Sequence, residues 1–352
     1  MGKAVIPFQA ELPREMSLQP NDLIEMADHQ SVLTGWAVGK NQNTGETGCY
    51  PMHFVEEIIE KIEKDQGIWY SPLNTVHLWG NNANFTNGLG DSKTRSIPDI
   101  NETLFQNHHS VIDVVVTKFH SVFLTEEGKV LTCGHGPGGR LGHGKEETLL
   151  YPRIVSALAN YRCTAVAASN HHTVVLTDKG QVLTFGSNDS NQLGQSSSSQ
   201  SSPTPNFICD KNLRGKVVIG VTAARFHTVV YTDKEVYVFG TNGGQFGLPK
   251  SDEIVSTPKL VSRLLLEKCN IKIAEAGDGA TLCLFDDGEL YILQDFVCRK
   301  IKNIGKCLPG TAIKITGGAL NLKGSEVKKA DPLQIAILQS SGVVSYICSS
   351  LY

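Results

Sequence analysis

Phe119-His120-Ser121-Val122-Phe123-Leu124-Thr125 is followed by the turn Glu126-Glu127-Gly128-Lys129 and then by Val130-Leu131-Thr132-Cys133-Gly134. Two β-branched and aromatic runs of five to seven residues, joined by a Gly-containing polar turn, read as a β-hairpin. The same reading applies to His172-Thr173-Val174-Val175-Leu176-Thr177 with Leu183-Thr184-Phe185-Gly186, and to His227-Thr228-Val229-Val230-Tyr231 with Tyr237-Val238-Phe239-Gly240. An earlier copy ends in His77-Leu78-Trp79-Gly80, a worn one is Leu290-Tyr291-Ile292-Leu293, and a last trace is Val344-Ser345-Tyr346. From Gly80 through Gly134, Gly186 and Gly240 to Leu293 the steps are 54, 52, 54 and 53 residues. A fixed period of about 50 residues marks an array of like units that bury their apolar faces on one another.

Each unit continues past the hairpin. A glycine-rich loop follows, such as Gly134 to Gly144, with counterparts Gly186 to Gly194 and Gly240 to Gly247. A Pro-led run comes next: Pro152-Arg153-Ile154-Val155, Pro205-Asn206-Phe207-Ile208 or Pro258-Lys259-Leu260-Val261. The last strand is expected at Thr164–Ala168, Val217–Val221 or Lys272–Ala276. Four strands per unit of this length make a propeller blade. The fold class is therefore all-β. From residue 75 to 352 there is room for five or six blades, with an incomplete ring among the outcomes.

The series Phe-His-Ser/Thr-Val, Gly-Lys-Val-Leu-Thr-Cys-Gly, Arg-Leu-Gly-His-Gly and Pro-Arg-Ile-Val resembles the chromatin-condensation-regulator (RCC1) repeat. Within that superfamily Lys118–Leu124 and Cys133–Gly144, with Asn84-Phe85-Thr86 and Asp278–Thr281, are similar to the propeller of the inhibitor-of-Bruton-tyrosine-kinase family. That resemblance implies a protein-binding propeller and makes a tyrosine kinase an expected partner. The family carries ankyrin repeats before its propeller and BTB domains after it. Neither lies within these 352 residues, so its cullin-3 adaptor role is not carried over, and a truncated or fused gene product is one expectation.

Residues 1–58 read differently, as short strands separated by polar turns that make a small barrel. Ala4-Val5-Ile6-Pro7-Phe8, Glu15–Ile24, Gly35-Trp36-Ala37-Val38-Gly39 and Gly45–Val55 resemble, in order and spacing, an SH3 domain. About 55 residues is near the lower limit for a core without disulfides or metal, so modest stability is expected. The resemblance implies a groove for proline-rich protein segments in the polyproline II conformation. Its expected lining is Ile6, Phe8, Trp36, Pro51 and Phe54. Glu11, Glu15 and Asp28 are placed to pair with a basic residue flanking the ligand prolines. Family members usually have tyrosine where Ile6 and Phe54 stand, and Asn where His53 stands. Each lost hydrogen bond is worth about 0.5–1.5 kcal/mol, so the groove is expected to bind weakly.

Between the two domains, residues 59–74 are expected to be a helical linker; the short helix is read from Val55 to Asp65, with Ile58, Ile59 and Ile62 as its apolar stripe and Glu57/Lys61 and Glu60/Lys64 as i,i+4 pairs. Gln195–Pro205, rich in serine, is expected to be a solvated mobile loop. The net charge of −3 provides no basic field for nucleic acid. No apolar run reaches the ~18 residues of a membrane span, and the N-terminus lacks a signal-peptide core. Nine cysteines with no CxxC pair suit a reducing compartment, with the cytoplasm expected and the nucleus left open.

His120, His172 and His227 recur once per unit, spread around a ring, and are expected to bond neighbouring loop carbonyls rather than to hold metal. His135 and His143 bracket a glycine loop without a third ligand at zinc spacing. Gly136–Arg140 lacks the Gly-Lys-Ser/Thr ending of a phosphate loop, and no nucleophile elbow appears. The reading is a non-catalytic adaptor with no catalytic, metal or cofactor residues. The alternative is guanine-nucleotide exchange on a small GTPase, which some RCC1-type propellers perform; no distinctive wedge loop for it stands out.

Overall fold

The computed structural model describes residues 2–4, 9–10, 15–20, 22–26, 36–51, 55–57, 76–195, 199–264, 269–301, 312–319, 333–339 and 344–348. The chain divides into two compact units, Met1–Asn74 and Thr75–Tyr352. Of the helix expected from Val55 to Asp65, Val55–Glu57 are instead a β-strand, which completes the sheet of the first unit, and the rest of the expected linker, 59–74, lies outside the described residues.

The first unit is a five-stranded antiparallel sheet: β1 (Gly2–Ala4), β2 (Leu23–Met26), β3 (Trp36–Asn41), β4 (Thr47–Pro51) and β5 (Val55–Glu57), in the order β4-β3-β2-β1-β5. Among its described residues Met16, Leu18, Ile24 and Tyr50 are buried hydrophobic side chains. Asn41 organises the β3–β4 hairpin. Its Oδ1 accepts from the Asn43 amide at 2.9 Å and its Nδ2 donates to Asp22 Oδ2 at 2.7 Å. Both side chains are buried, so the pair satisfies polar groups that would otherwise be costly to desolvate.

The second unit opens with β6 (His77–Gly80) and β7 (Arg95–Ile100), a two-stranded sheet, and the short helix α1 (Glu102–Gln106). Four antiparallel sheets of four strands follow. The first comprises β8 (Val111–Val116), β9 (His120–Thr125), β10 (Val130–Gly134) and β11 (Leu149–Ile154). The second is β12 (Cys163–Ala168), β13 (His172–Thr177), β14 (Val182–Ser187) and β15 (Ser201–Phe207). The third is β16 (Gly220–Ala224), β17 (His227–Tyr231), β18 (Val236–Thr241) and β19 (Ile254–Leu260). The fourth is β20 (Ile271–Gly277), β21 (Ala280–Phe285), β22 (Leu290–Gln294) and β23 (Val297–Lys300). A three-stranded sheet, β24 (Ala312–Ala319), β25 (Leu333–Gln339) and β26 (Val344–Cys348), ends the described chain. Among the described residues this unit has six sheets, four of them four-stranded, as expected for a β-propeller.

Every residue of β9, β10, β13 and β14 is buried, because each sheet is covered on both faces by its neighbours. That explains why apolar residues stand side by side, Val122-Phe123-Leu124 in β9 and Val174-Val175-Leu176 in β13, instead of alternating with exposed polar ones. Val122 and Leu124 share one core cluster with Val166, Val175 and Phe185, across the seam between the first and second complete sheets.

The sequence repeat and the sheet are out of phase. The strand expected to close each unit, Thr164–Ala168 for example, instead opens the next sheet as β12 and pairs with β13. Each repeat therefore spans two sheets. The strand expected at Val217–Val221 lies three residues later, as β16. Val217 and Ile219, which suggested it, are 63% and 48% exposed. The polar segment 195–205 is shorter than expected as a loop, since Ser201–Pro205 enter β15. Pro203 and Pro205 are tolerated there because β15 is an edge strand, where a missing N–H costs no interior ladder bond.

The repeat glycine has a specific task. At Gly134, Gly186 and Gly240 φ is 112°, 116° and 116°, and the pairing with the outer strand shifts register there. A Cβ at these positions would lie 2.5, 2.5 and 2.3 Å from the carbonyl oxygens of Phe119, His171 and Phe226. Only glycine fits this bulge, from which the long loop departs. In the worn copy Leu293 replaces the glycine, and β22 pairs with β23 in unbroken register. The long loop is gone. Asp295 and Phe296, both at positive φ, make a two-residue turn in its place.

Candidate functional site

Two sets of residues carry functional interest: the predicted peptide groove and the recurring histidines. In the groove, Trp36 begins β3 and is the register partner of Pro51 at the end of β4. The sheet thus brings together two positions that are 15 residues apart in sequence. Glu15 is half-buried beside the buried Met16. Ile6, Phe8, Glu11, Asp28 and Phe54 lie outside the described residues.

The histidines form a polar seam through the propeller. His120 Nε2 lies 2.8 Å from Thr173 Oγ1, and His172 Nε2 lies 2.7 Å from Thr228 Oγ1. Each bond links the second strand of one sheet to the second strand of the next. The hydroxyls direct the tautomers. Thr173 donates to Arg140 O at 2.9 Å and Thr228 to Gln192 O at 2.7 Å. A hydroxyl has one proton, so each must accept from the imidazole, which places the proton on Nε2. Nδ1 then accepts, from Ser169 Oγ at 2.8 Å in the case of His172. Burial holds His120, His172 and His227 at a pKa of about 3, so all three are neutral. The expected carbonyl partners are replaced by hydroxyls that themselves reach loop carbonyls. The signal in the sequence was the Ser or Thr directly after each histidine.

The next link of this series is not made. His227 Nε2 and Thr281 Oγ1 are both buried and have no hydrogen-bonding partner among the described residues. His227 Nδ1 instead faces Gln245 Nε2 at 3.3 Å.

His135 and His143 do not share a site. His143 Nε2 is 2.9 Å from Thr132 Oγ1, and the His135 ring lies 5.9 Å from that of Phe119. Cys269, Asp286 and Asp287 gather on the surface within 4.8 Å of one another. Cys269 Sγ donates to Asp287 Oδ2 at 2.8 Å, and that bond, with desolvation second, pushes the thiol up to about 11. The free thiol is therefore protonated near neutrality.

Comparison with known proteins agrees with this geometry. Residues 127–176 and 179–231 match the Regulator of chromosome condensation (RCC1) repeat, and residues 4–56 match a Variant SH3 domain. The chain is 41% identical over 278 residues to the Inhibitor of Bruton tyrosine kinase of Homo sapiens, covering 78% of this chain and 20% of that protein. The protein of the same name from Xenopus laevis is 43% identical over 253 residues, 71% of this chain and 19% of the relative. The chain spans about a fifth of the length of the curated relatives it matches. Among solved structures, the crystal structure of human WBSCR16 superposes with a TM-score of 0.59, covering 89% of this chain and 93% of that one, at 16% identity. That likeness speaks for the fold alone. The seam of buried histidines, the bulge glycines and the N-terminal five-stranded sheet thus belong to a variant SH3 domain joined to an RCC1-repeat β-propeller, similar over most of its length to the Inhibitor of Bruton tyrosine kinase.

Proposed function

We propose that this chain is a non-catalytic cytoplasmic adaptor. Its SH3 domain holds a proline-rich segment of one partner, with Ile6, Phe8, Trp36, Pro51 and Phe54 lining the groove and Glu11, Glu15 and Asp28 orienting the ligand. Its propeller presents a rigid surface to a second protein, a tyrosine kinase whose activity it lowers. The observation that carries the kinase reading is the 41% identity to a relative named as an inhibitor of Bruton tyrosine kinase. The match of residues 4–56 to an SH3 domain supports the proline-rich partner. The RCC1 repeats are compatible with nucleotide exchange on a small GTPase, but no observation favours it.

The test adds the purified full chain to Bruton tyrosine kinase and follows phosphorylation of a peptide substrate. A dose-dependent fall in rate is the expected result. An unchanged rate up to about 100 μM, a concentration that saturates any low-micromolar contact, removes the kinase from the reading.

A further inference from the structure

The turns joining the first and second strands of the four complete sheets come together around a cavity of about 380 Å³. Its wall includes Lys118, Asn170, Arg225 and Asp278, one from each turn, with small residues such as Ala168 and Ala276 between them. Neighbouring turns are tied by their own side chains. The Lys118 amide donates to Asn170 Oδ1 at 3.2 Å, and the Arg225 amide to Asp278 Oδ1 at 3.0 Å.

Beside this cavity runs a row of rings. Phe119 and His171 have centroids 6.2 Å apart, and His171 stacks on Phe226 at 6.4 Å with 14° between planes. Phe226 is 43% exposed. Cations lie against the row: Arg140 is 5.0 Å from the Phe119 centroid, Lys118 Nζ is 5.2 Å from it, and Arg225 is 4.8 Å from Phe226. None of the three forms an ion pair among the described residues. Arg140 spends its donors on the carbonyls of Pro137 and Asn170. A guanidinium over a ring keeps its edge free to fork onto a carboxylate. After desolvation, Arg140 and Arg225 lower the His171 pKa and Asp189 opposes them; with Asp278 on the wall, the three cations outnumber the two carboxylates.

We propose that this mouth of the propeller, formed by Lys118, Phe119, His171, Arg225 and Phe226, binds an acidic peptide segment carrying a tyrosine. The carboxylates sit on Lys118 and Arg225, and the phenol ring extends the row of rings. Three cations are too few for a nucleic-acid track, which needs a larger field than a chain of net charge −3 provides. The cavity is large enough for one or two side chains. This deepens the adaptor reading, on which it rests, by naming the surface and chemistry of the second partner.

The probe is a fluorescein-labelled EEEYEEE peptide, titrated into the full chain and followed by anisotropy. Binding in the range of about 10–100 μM is expected, weakening as salt rises. Lys118→Glu/Arg225→Glu should weaken it by about tenfold or more, and Lys179→Glu, the same kind of charge reversal in the exposed β13–β14 turn, by less than about twofold. If circular dichroism shows the double reversal unfolded, Lys118→Gln/Arg225→Gln is used, with about a threefold loss expected. EEEAEEE should bind more weakly than EEEYEEE. The proposal is overturned if wild type fails to bind at about 1 mM, if the folded double variant binds like wild type, or if an RNA oligomer of equal charge binds as tightly. Proline-rich peptide binding, measured alongside, should not change in the double variant. Its absence in wild type overturns the adaptor reading separately.

Discussion

His172 Nε2 donates to Thr228 Oγ1 at 2.7 Å, and the Thr228 hydroxyl in turn donates to Gln192 O at 2.7 Å. Removing the hydroxyl strands two buried polar groups at once. Thr228→Val should therefore lower unfolding stability by about 2–4 kcal/mol. At Thr281 the equivalent hydroxyl has no partner among the described residues, so Thr281→Val should cost less than about 1 kcal/mol or stabilise. Urea unfolding of the two variants is the check; equal losses would refute the asymmetry of the seam.

The buried histidines make stability depend on pH. Their folded pKa of about 3 lies below the ordinary 6.5. Below 6.5 the unfolded chain takes up protons that the folded chain refuses, so stability is full above that value and falls as pH drops toward 3. Three such groups give a slope of up to about 4 kcal/mol per pH unit in that window. His143, half-buried and held at about 4, adds a fourth such group over most of that window, so His172→Gln should reduce the slope by about a quarter. Urea midpoints measured at a series of pH values decide it, and a flat profile between about pH 6 and 4 counts against neutral burial.

The bulge glycines are predicted to be sensitive to a single methyl group. Gly186→Ala combines a φ of 116° with a Cβ 2.5 Å from His171 O. A loss of about 3 kcal/mol or more is expected. Gly215, at φ 75° with open space around its Cβ position, bears only the backbone penalty, so Gly215→Ala should cost about 1–2 kcal/mol. Thermal unfolding of the pair separates the clash from the dihedral.

In the first unit, Trp36→Ala should weaken binding of proline-rich peptides by about tenfold or more while the strand content stays the same. Calorimetric titration of the full chain with a peptide array measures the first, and far-ultraviolet circular dichroism the second. A variant that binds as wild type does moves the groove elsewhere.

The hairpins were legible because β9, β10, β13 and β14 are buried throughout, and burial on both faces places β-branched and apolar residues side by side. The edge strands were harder. Pro203 and Pro205 argue locally for a loop, and only the knowledge that β15 lies outermost removes the objection. Val217 and Ile219 misled in the opposite sense, since β-branched residues on the surface look like strand residues in the core. The histidines were visible as a series, but their partners lie 53 and 56 residues away, across a seam that no local pattern records. The ring row beside the cavity was hidden for the same reason, as Phe119, His171 and Phe226 come from three different sheets.

The offset between repeat and sheet has an evolutionary consequence. A deletion of one period that starts at Cys163 removes β12 through β15 and takes out a whole sheet. One that starts at His172 removes three strands of that sheet and the first strand of the next, yet the remaining β12 can pair with β17 as it did with β13. Unequal recombination between repeats therefore need not respect any boundary. Within the three like sheets from β8 to β19, breakpoints one period apart leave four-stranded sheets, and such a blade can be gained or lost by genetic accident without an orphaned strand.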